Sequence, residues 1–279
     1  MLAPLLLLLP LSLPLPLSAH PPPSRSPMPP PARTLYLIRH AESFENDLMH
    51  RLRQGLYELE LLRLLNVPGL IDCPLSKKGE KQVENLKAFT STYALPSSSS
   101  SAPPLGFLPA LASTGRRIQV VHSPLRRARL TCLGATGYVA PSSRTEEESY
   151  DASLLGRAPP AALGNVSVEE SELLLEKTPI EWTPVLGDRS VVARIKAFER
   201  FVETDIEDVA VVVGHSQYFR RMLKQEKKFD NCDIWECTYE FDPEKKGQGE
   251  GVWTISGRVY KGNEVGDDEE TSKTSEARV

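Results

Sequence analysis

Leu35-Tyr36-Leu37-Ile38-Arg39-His40-Ala41-Glu42-Ser43 decides the reading of this chain. Its first four residues are apolar with no polar alternation, the pattern of a strand buried on both faces, as in a parallel sheet covered by helices. Two more runs, Ile118-Gln-Val-Val121 and Val209-Ala-Val-Val-Val213, are mostly β-branched with little polar alternation and read the same way. Helical spacing is predicted between and after them, over 79–92, where Val83 and Leu86 share a face, over 126–136, and over 190–204. In the last, Val191, Ile195, Phe198 and Val202 fall on one stripe and are expected in the core. Strand alternating with helix predicts an α/β fold, a three-layer sandwich with a mostly parallel central sheet and helices on both faces. The ligand crevice of such a sheet lies beyond the carboxyl ends of its strands.

Outward from that core the chain has 279 residues, 40% hydrophobic and 25% charged, enough apolar material to exclude disorder throughout. A net charge of −4 gives no general attraction to nucleic acid, and none is expected as a partner. Cys73, Cys132, Cys232 and Cys237 form neither a C-x-x-C pair nor a disulfide framework, and they read as buried thiols. Residues 1–33 are expected to be a targeting and proline-rich leader. Leu-Ser-Ala at 17–19 resembles a signal-peptide cleavage region, yet no basic residue precedes the apolar run and Pro4, Pro10, Pro14 and Pro16 interrupt it. Secretory or organelle targeting are both open, with a cytoplasmic location otherwise, and no membrane span is expected. The folded domain is expected over 34–260. Within it Leu95–Thr114, which holds the run Ser97 to Ser101, and Pro141–Val166 read as mobile surface insertions, and 261–279 as a disordered acidic tail.

Three strand ends carry the chemistry. The first presents Arg39-His40, with Asn46 shortly beyond. A lone histidine is usually structural, but at a strand end beside a guanidinium a neutral imidazole is a competent nucleophile for phosphate. The second is Val121-His122-Ser123-Pro124-Leu125-Arg126-Arg127-Ala128-Arg129, three guanidiniums entering a helix start, a ready anion site. Helical spacing lets one or two of the three reach a common pocket. The third is Gly214-His215-Ser216-Gln217, a second histidine at the same sheet edge, a further phosphate ligand when protonated.

Arg39-His40-Ala41-Glu42-Ser43 with Asn46, then Asp72-x-Pro74-Leu75-Ser76-x-x-Gly79-x-x-Gln82, Ser123-Pro-Leu-Arg-Arg127-Ala128 and Gly214-His215-Ser216 resemble, in order, the motifs of the histidine phosphatase, or phosphoglycerate mutase-like, superfamily. The resemblance spans about 34–240. It implies a phosphohistidine at His40, and phosphate binding by Arg39, Arg127 and His215 with contact from Asn46 and Ser216. Arg126 is secondary, Asp72 to Gln82 is scaffold, and no metal or cofactor is needed. The family also supplies an acid for the leaving oxygen. Glu176, in Leu173-Leu-Leu-Glu176, resembles that setting, with Glu148 and Asp151 as alternatives. Hydrolysis of a phosphorylated small molecule or phosphoprotein is favoured, and a phosphoglycerate mutase-type phosphotransfer is the alternative.

Two other readings compete. Gly214-His-Ser216-Gln after a buried strand looks like the nucleophile elbow of a serine esterase, but Tyr218 stands where that turn needs glycine and no histidine follows Ser216. A non-catalytic phosphate-binding module would keep the cations and lack the acid.

Overall fold

The computed structural model describes residues 32–53, 72–94, 106–141, 163–176 and 187–262. Nearly all of the leader and of the acidic tail, and with them Glu148 and Asp151, lie outside these residues. Among the described residues six strands form one sheet: β1 Ala32–Arg39, β2 Ile118–His122, β3 Val166–Glu170, β4 Val209–Gly214, β5 Ile234–Glu240 and β6 Val252–Tyr260. Their order is β3-β2-β4-β1-β5-β6. The first four run parallel, and β5 and β6 continue the sheet by antiparallel pairing. The chain begins its first strand at Ala32, two residues before the expected start, because Ala32 and Arg33 pair with Glu240 and Tyr239.

The apolar runs are strands buried on both faces, and alternate residues sort into two cores. Leu35, Leu37, Val121, Ala210 and Val212 face one side, where they meet Val191, Ile195, Phe198 and Val202 of α5 (Gly187–Thr204) and Tyr218, Phe219 and Met222 of α6 (Ser216–Met222). Tyr36, Ile38, Val120, Val211 and Val213 face the other. There they meet Leu86 of α2 (Lys77–Thr92), Phe107, Leu108 and Leu111 of α3 (Phe107–Ala112), and Ala128, Cys132 and Ala135 of α4 (Arg126–Thr136). The result is the expected three layers. A short α1 (Phe44–Arg53) follows β1. All four thiols are buried and free, and among the described residues no helix is long and apolar enough to cross a membrane.

Two expectations are corrected. The supposed loop Leu95–Thr114 contains α3, whose Phe107 packs edge-on against Tyr36 and Tyr93 with ring centroids 5.3 and 5.1 Å apart. The proline and serine of the segment concealed an apolar turn that fills the core beneath β1. The second is the strand that follows Pro141–Val166: residues 142–162 of that expected loop lie outside the described residues, but Val166 at its end opens β3, which the sequence reading did not assign and which completes the parallel part of the sheet.

The motif from Asp72 to Gln82 works as scaffold for the turn after β1. Ser76 caps α2 by accepting from the Gly79 N–H at 3.0 Å, and its hydroxyl donates to Glu42 at 2.8 Å. The Glu42 N–H donates to Gln82 at 2.8 Å, and the Ser76 N–H to the Glu42 carbonyl at 3.0 Å. Gly79 permits this contact, since a Cβ there would lie 1.9 Å from the Glu42 carbonyl oxygen, backbone against backbone. Gly79→Ala is therefore expected to destabilise the fold by about 1–3 kcal/mol, the range of overpacking substitutions. Urea unfolding measures this, and an unchanged midpoint would mean that α2 can shift freely from the turn.

Candidate active site

Strand register brings the two histidines together. Arg39 pairs with Gly214 across β1 and β4, so His40 and His215 leave adjacent strands at the same edge. Their rings lie 4.9 Å apart, tilted by 58°. His122 pairs with Val213, which sets Ser123 beside them. Past β3, a 3-10 turn at Glu172–Leu174 anchors buried Leu174 and delivers Glu176 over the edge.

His40 is 1% exposed. Its Nδ1 stands 2.6 Å from the Ala41 carbonyl. A carbonyl only accepts, so Nδ1 carries the proton and Nε2 keeps its lone pair. Burial, reinforced by His215, Arg127 and Arg39 and opposed by Glu176, holds its pKa well below the usual imidazole value. The ring is therefore neutral, with one nucleophilic nitrogen.

His215 is fully buried, and its Nδ1 faces Glu176 Oε2 at 3.3 Å while Nε2 lies 2.9 Å from Ser123 Oγ. A carboxylate accepts, so Nδ1 bears hydrogen and Ser123 donates to Nε2. Burial lowers the His215 pKa despite Glu176, with Arg127 and Arg39 adding to the shift. Burial thus disfavours the protonated ring, and the imidazole offers its Nδ1–H as a donor.

Of the three arginines entering α4, Arg127 turns into this cluster. It is 3% exposed, and its Nη2 lies 2.6 Å from Glu176 Oε2 and 3.9 Å from Glu45 Oε2. Burial works against its charge, and Glu176 and Glu45 outweigh that cost. Arg129 instead pairs with Glu170 and donates to the Ala140 carbonyl at 3.0 Å, which ties α4 to β3 and the loop behind it. The Arg126 backbone N–H goes to Asp72. On the opposite flank Arg39 donates through Nη1 to the Phe229 carbonyl at 2.6 Å. Its Nε is buried with no hydrogen-bond partner among the described residues, a donor suited to an anionic guest.

Glu176 is 22% exposed. Burial raises its pKa, but His215, Arg127 and His40 together hold it well below the carboxylate range. It is therefore ionised at rest, held by Arg127 and the His215 ring. Asn46 lies on α1 with a buried Oδ1 that has no partner among the described residues, and its N–H donates to Ser43 at 3.3 Å. Ser216 is 4% exposed, and its hydroxyl donates to the Phe229 carbonyl at 3.4 Å, the acceptor it shares with Arg39. Among the described residues no base accepts from it, so the esterase reading finds no activated nucleophile there.

Residues that sequence reasoning missed complete the site. Ser123 holds His215, and Glu45 supplies a second carboxylate beside Arg127, its pKa raised by burial, with Arg127 opposing and Glu176 adding. Thr131 accepts from the Ala41 N–H at 2.9 Å, and Asn231 donates to the His40 carbonyl at 3.0 Å. Thr131 stands one helical turn after Arg127, a spacing visible in the sequence, whereas Asn231 carried no signal.

His40, His215 and Glu176 also offer ligand atoms within 4.8 Å of one another, close enough for one divalent ion. The neighbouring charge opposes this. Arg127 and Arg39 set two fixed cations against a third, and the whole donor set fits an oxyanion better.

No family model matches the sequence, and no curated protein matches it. Among solved structures it is similar to mycobacterial hydrolase 2, at 12% identity over 88% of this chain and 97% of that one, with a TM-score of 0.43. It is also similar to the mycobacterial glucosyl-3-phosphoglycerate phosphatase, at 14% over 81% and 98% with a TM-score of 0.37. A phosphoserine phosphatase from Entamoeba histolytica gives 13% over 81% and 96%, again with a TM-score of 0.37. These likenesses are weak in sequence and in superposition, so the chemistry must be carried by the side chains of the pocket.

Proposed function

We propose that this chain is a phosphomonoesterase of the histidine phosphatase type, with His40 as nucleophile. The observation that carries the reading is one arrangement: a buried imidazole tethered through Nδ1, with no hydrogen-bond partner on Nε2 among the described residues, facing a second imidazole, a buried arginine and a carboxylate. In the mechanism, phosphoryl oxygens replace the Glu176 carboxylate on Arg127 and the His215 Nδ1–H, and Arg39 adds charge. His40 Nε2 attacks phosphorus in line, the P–O bond to the alcohol breaks, and Glu176 gives its proton to the leaving oxygen. Water then attacks the phosphohistidine, Glu176 takes its proton, and inorganic phosphate leaves. Asn46 and Ser216 complete the proposed pocket, Ser216 through the carbonyl it shares with Arg39.

The substrate class is a phosphate monoester on a small molecule or a phosphoprotein. Incubating the protein with a panel of both and assaying released phosphate tests the reading. Transfer of phosphate to a second hydroxyl without release would turn it into a phosphotransferase. Turnover is expected to survive exhaustive chelation by EDTA, because Arg39 and Arg127 stabilise the phosphoryl charge that magnesium stabilises elsewhere. Loss of turnover restored by zinc or magnesium would reassign His40, His215 and Glu176 as ligands.

A further inference from the structure

The tether that fixes the tautomer of His40 joins neighbouring residues, Nδ1 to the Ala41 carbonyl. Such a local bond orients the ring only as well as the intervening backbone is held. That backbone is held at its two ends, by the His40 N–H on the Gly214 carbonyl at 3.0 Å and the Glu42 N–H on Gln82 at 2.8 Å, but β1 ends at Arg39 and α1 begins at Phe44, so the His40–Ala41 peptide between them belongs to neither element. A peptide unit is planar, and its two polar groups must find partners when buried. The His40–Ala41 unit finds both on side chains. Its carbonyl accepts from Asn231 Nδ2 at 3.0 Å, and its N–H donates to Thr131 Oγ1 at 2.9 Å.

We infer that Thr131 and Asn231 are positioning residues, which lock the His40–Ala41 peptide plane so that His40 presents Nε2 to phosphate. Each is tied to an arginine of the proposed phosphate pocket, Thr131 by sharing a helix with Arg127 and Asn231 by lying in the loop that holds Arg39. Thr131 is fully buried on α4 and donates its own hydroxyl hydrogen to the Arg127 carbonyl at 2.8 Å. Its oxygen is then left to accept the Ala41 N–H, so one hydroxyl sets the spacing between Arg127 and the nucleophile. Asn231 belongs to an arch, residues 229–233, that grips Arg39. The Cys232 N–H donates to the Arg39 carbonyl at 3.1 Å, the Arg39 N–H to the Asp233 carbonyl at 3.2 Å, and Arg39 Nη1 to the Phe229 carbonyl. The arch is stiffened by Asp233, 1% exposed, whose carboxylate accepts from the Asp230 N–H at 3.1 Å, Trp235 Nε1 at 3.2 Å and the Gly262 N–H at 3.1 Å. Cys232 pays for this course with a left-handed backbone, φ +61°.

The inference rests on His40 as nucleophile, and its test separates the two. Thr131→Val keeps shape and removes the acceptor, Thr131→Ser keeps the acceptor, and Asn231→Asp keeps shape and removes the donor. Thr131→Val and Asn231→Asp are expected to lower kcat by about 10- to 100-fold, as small misplacements of a reacting group do, with little change in inhibition by inorganic phosphate. Thr131→Ser should restore most of the loss. Nitrogen-15 shifts of the His40 imidazole should show a single Nδ1–H tautomer in the unmodified protein and a mixture in Thr131→Val. An unchanged kcat and tautomer in both variants would overturn the inference, as would parallel falls in kcat, phosphate affinity and melting temperature that serine does not rescue. If the unmodified protein forms no phosphohistidine while the tautomer still depends on Thr131, the functional reading fails and the positioning role stands.

Discussion

His40→Ala is expected to lower turnover of every substrate by about 10⁴–10⁶, the scale on which enzymes lose rate when a covalent nucleophile is removed. The fold should survive. The His40 backbone N–H still donates to the Gly214 carbonyl at 3.0 Å, and the lost side-chain bond to Ala41 costs about 1 kcal/mol. Phosphate should be trapped on the unmodified protein in an acid-labile, base-stable form and be absent from the variant. Label on Ser216 would overturn the mechanism. The pH profile carries an independent sign. Below its pKa His40 is protonated and inert, and that pKa is pushed down by burial and then by His215, Arg127 and Arg39. The acid limb of kcat/KM is therefore expected below the ordinary imidazole value of about 6.5. A limb at or above that value, abolished with His40, would mean that the ring is solvated and the pocket misread.

The parts of this site that were legible in the sequence are those set by a single strand or helix. Leu35 to Ile38 and Val209 to Val213 announce buried strands because every side chain is apolar, and whatever follows them must stand at the sheet edge. The stripe Val191, Ile195, Phe198 and Val202 announces its buried face in the same local way, and all four lie in one core. What could not be read depends on pairing between distant segments. Glu176 reaches Arg127 because β3 lies against β2, yet Val166–Glu170 is short, polar and half-buried. Asn231 lies 191 residues from His40, and only the antiparallel addition of β5 to β1 brings them together. β6 did carry a signal, since Trp253, Ile255, Gly257 and Val259 alternate with more exposed neighbours. Its meaning, a half-buried edge strand, needed β5 beside it to become structure.

Glu176→Gln is expected to slow hydrolysis of alkyl phosphates by about 10²–10⁴, the reach of general acid catalysis. In the resting site His215, Arg127 and His40 hold Glu176 ionised, and an anion has no proton to give. Substrate binding reverses the balance. Phosphoryl oxygens take over Arg127 and the His215 Nδ1–H, so Glu176 loses its 2.6 and 3.3 Å partners and gains a doubly negative neighbour. With burial left as the dominant influence, its pKa rises and it takes up a proton in the complex alone. As pH climbs through that raised value the acid is lost, so kcat on alkyl phosphates should fall, and the Gln variant should lack this alkaline limb. p-Nitrophenyl phosphate discriminates further, because its phenolate leaves unprotonated. The variant should form the phosphohistidine from it nearly as fast as the unmodified protein, then lose the phosphate slowly, for want of a base to activate water. Equal losses on good and poor leaving groups, with no accumulated phosphohistidine, would confine Glu176 to holding Arg127. The proton would then have to come from Glu45, the second carboxylate on the same guanidinium, and Glu45→Gln would show the leaving-group dependence instead.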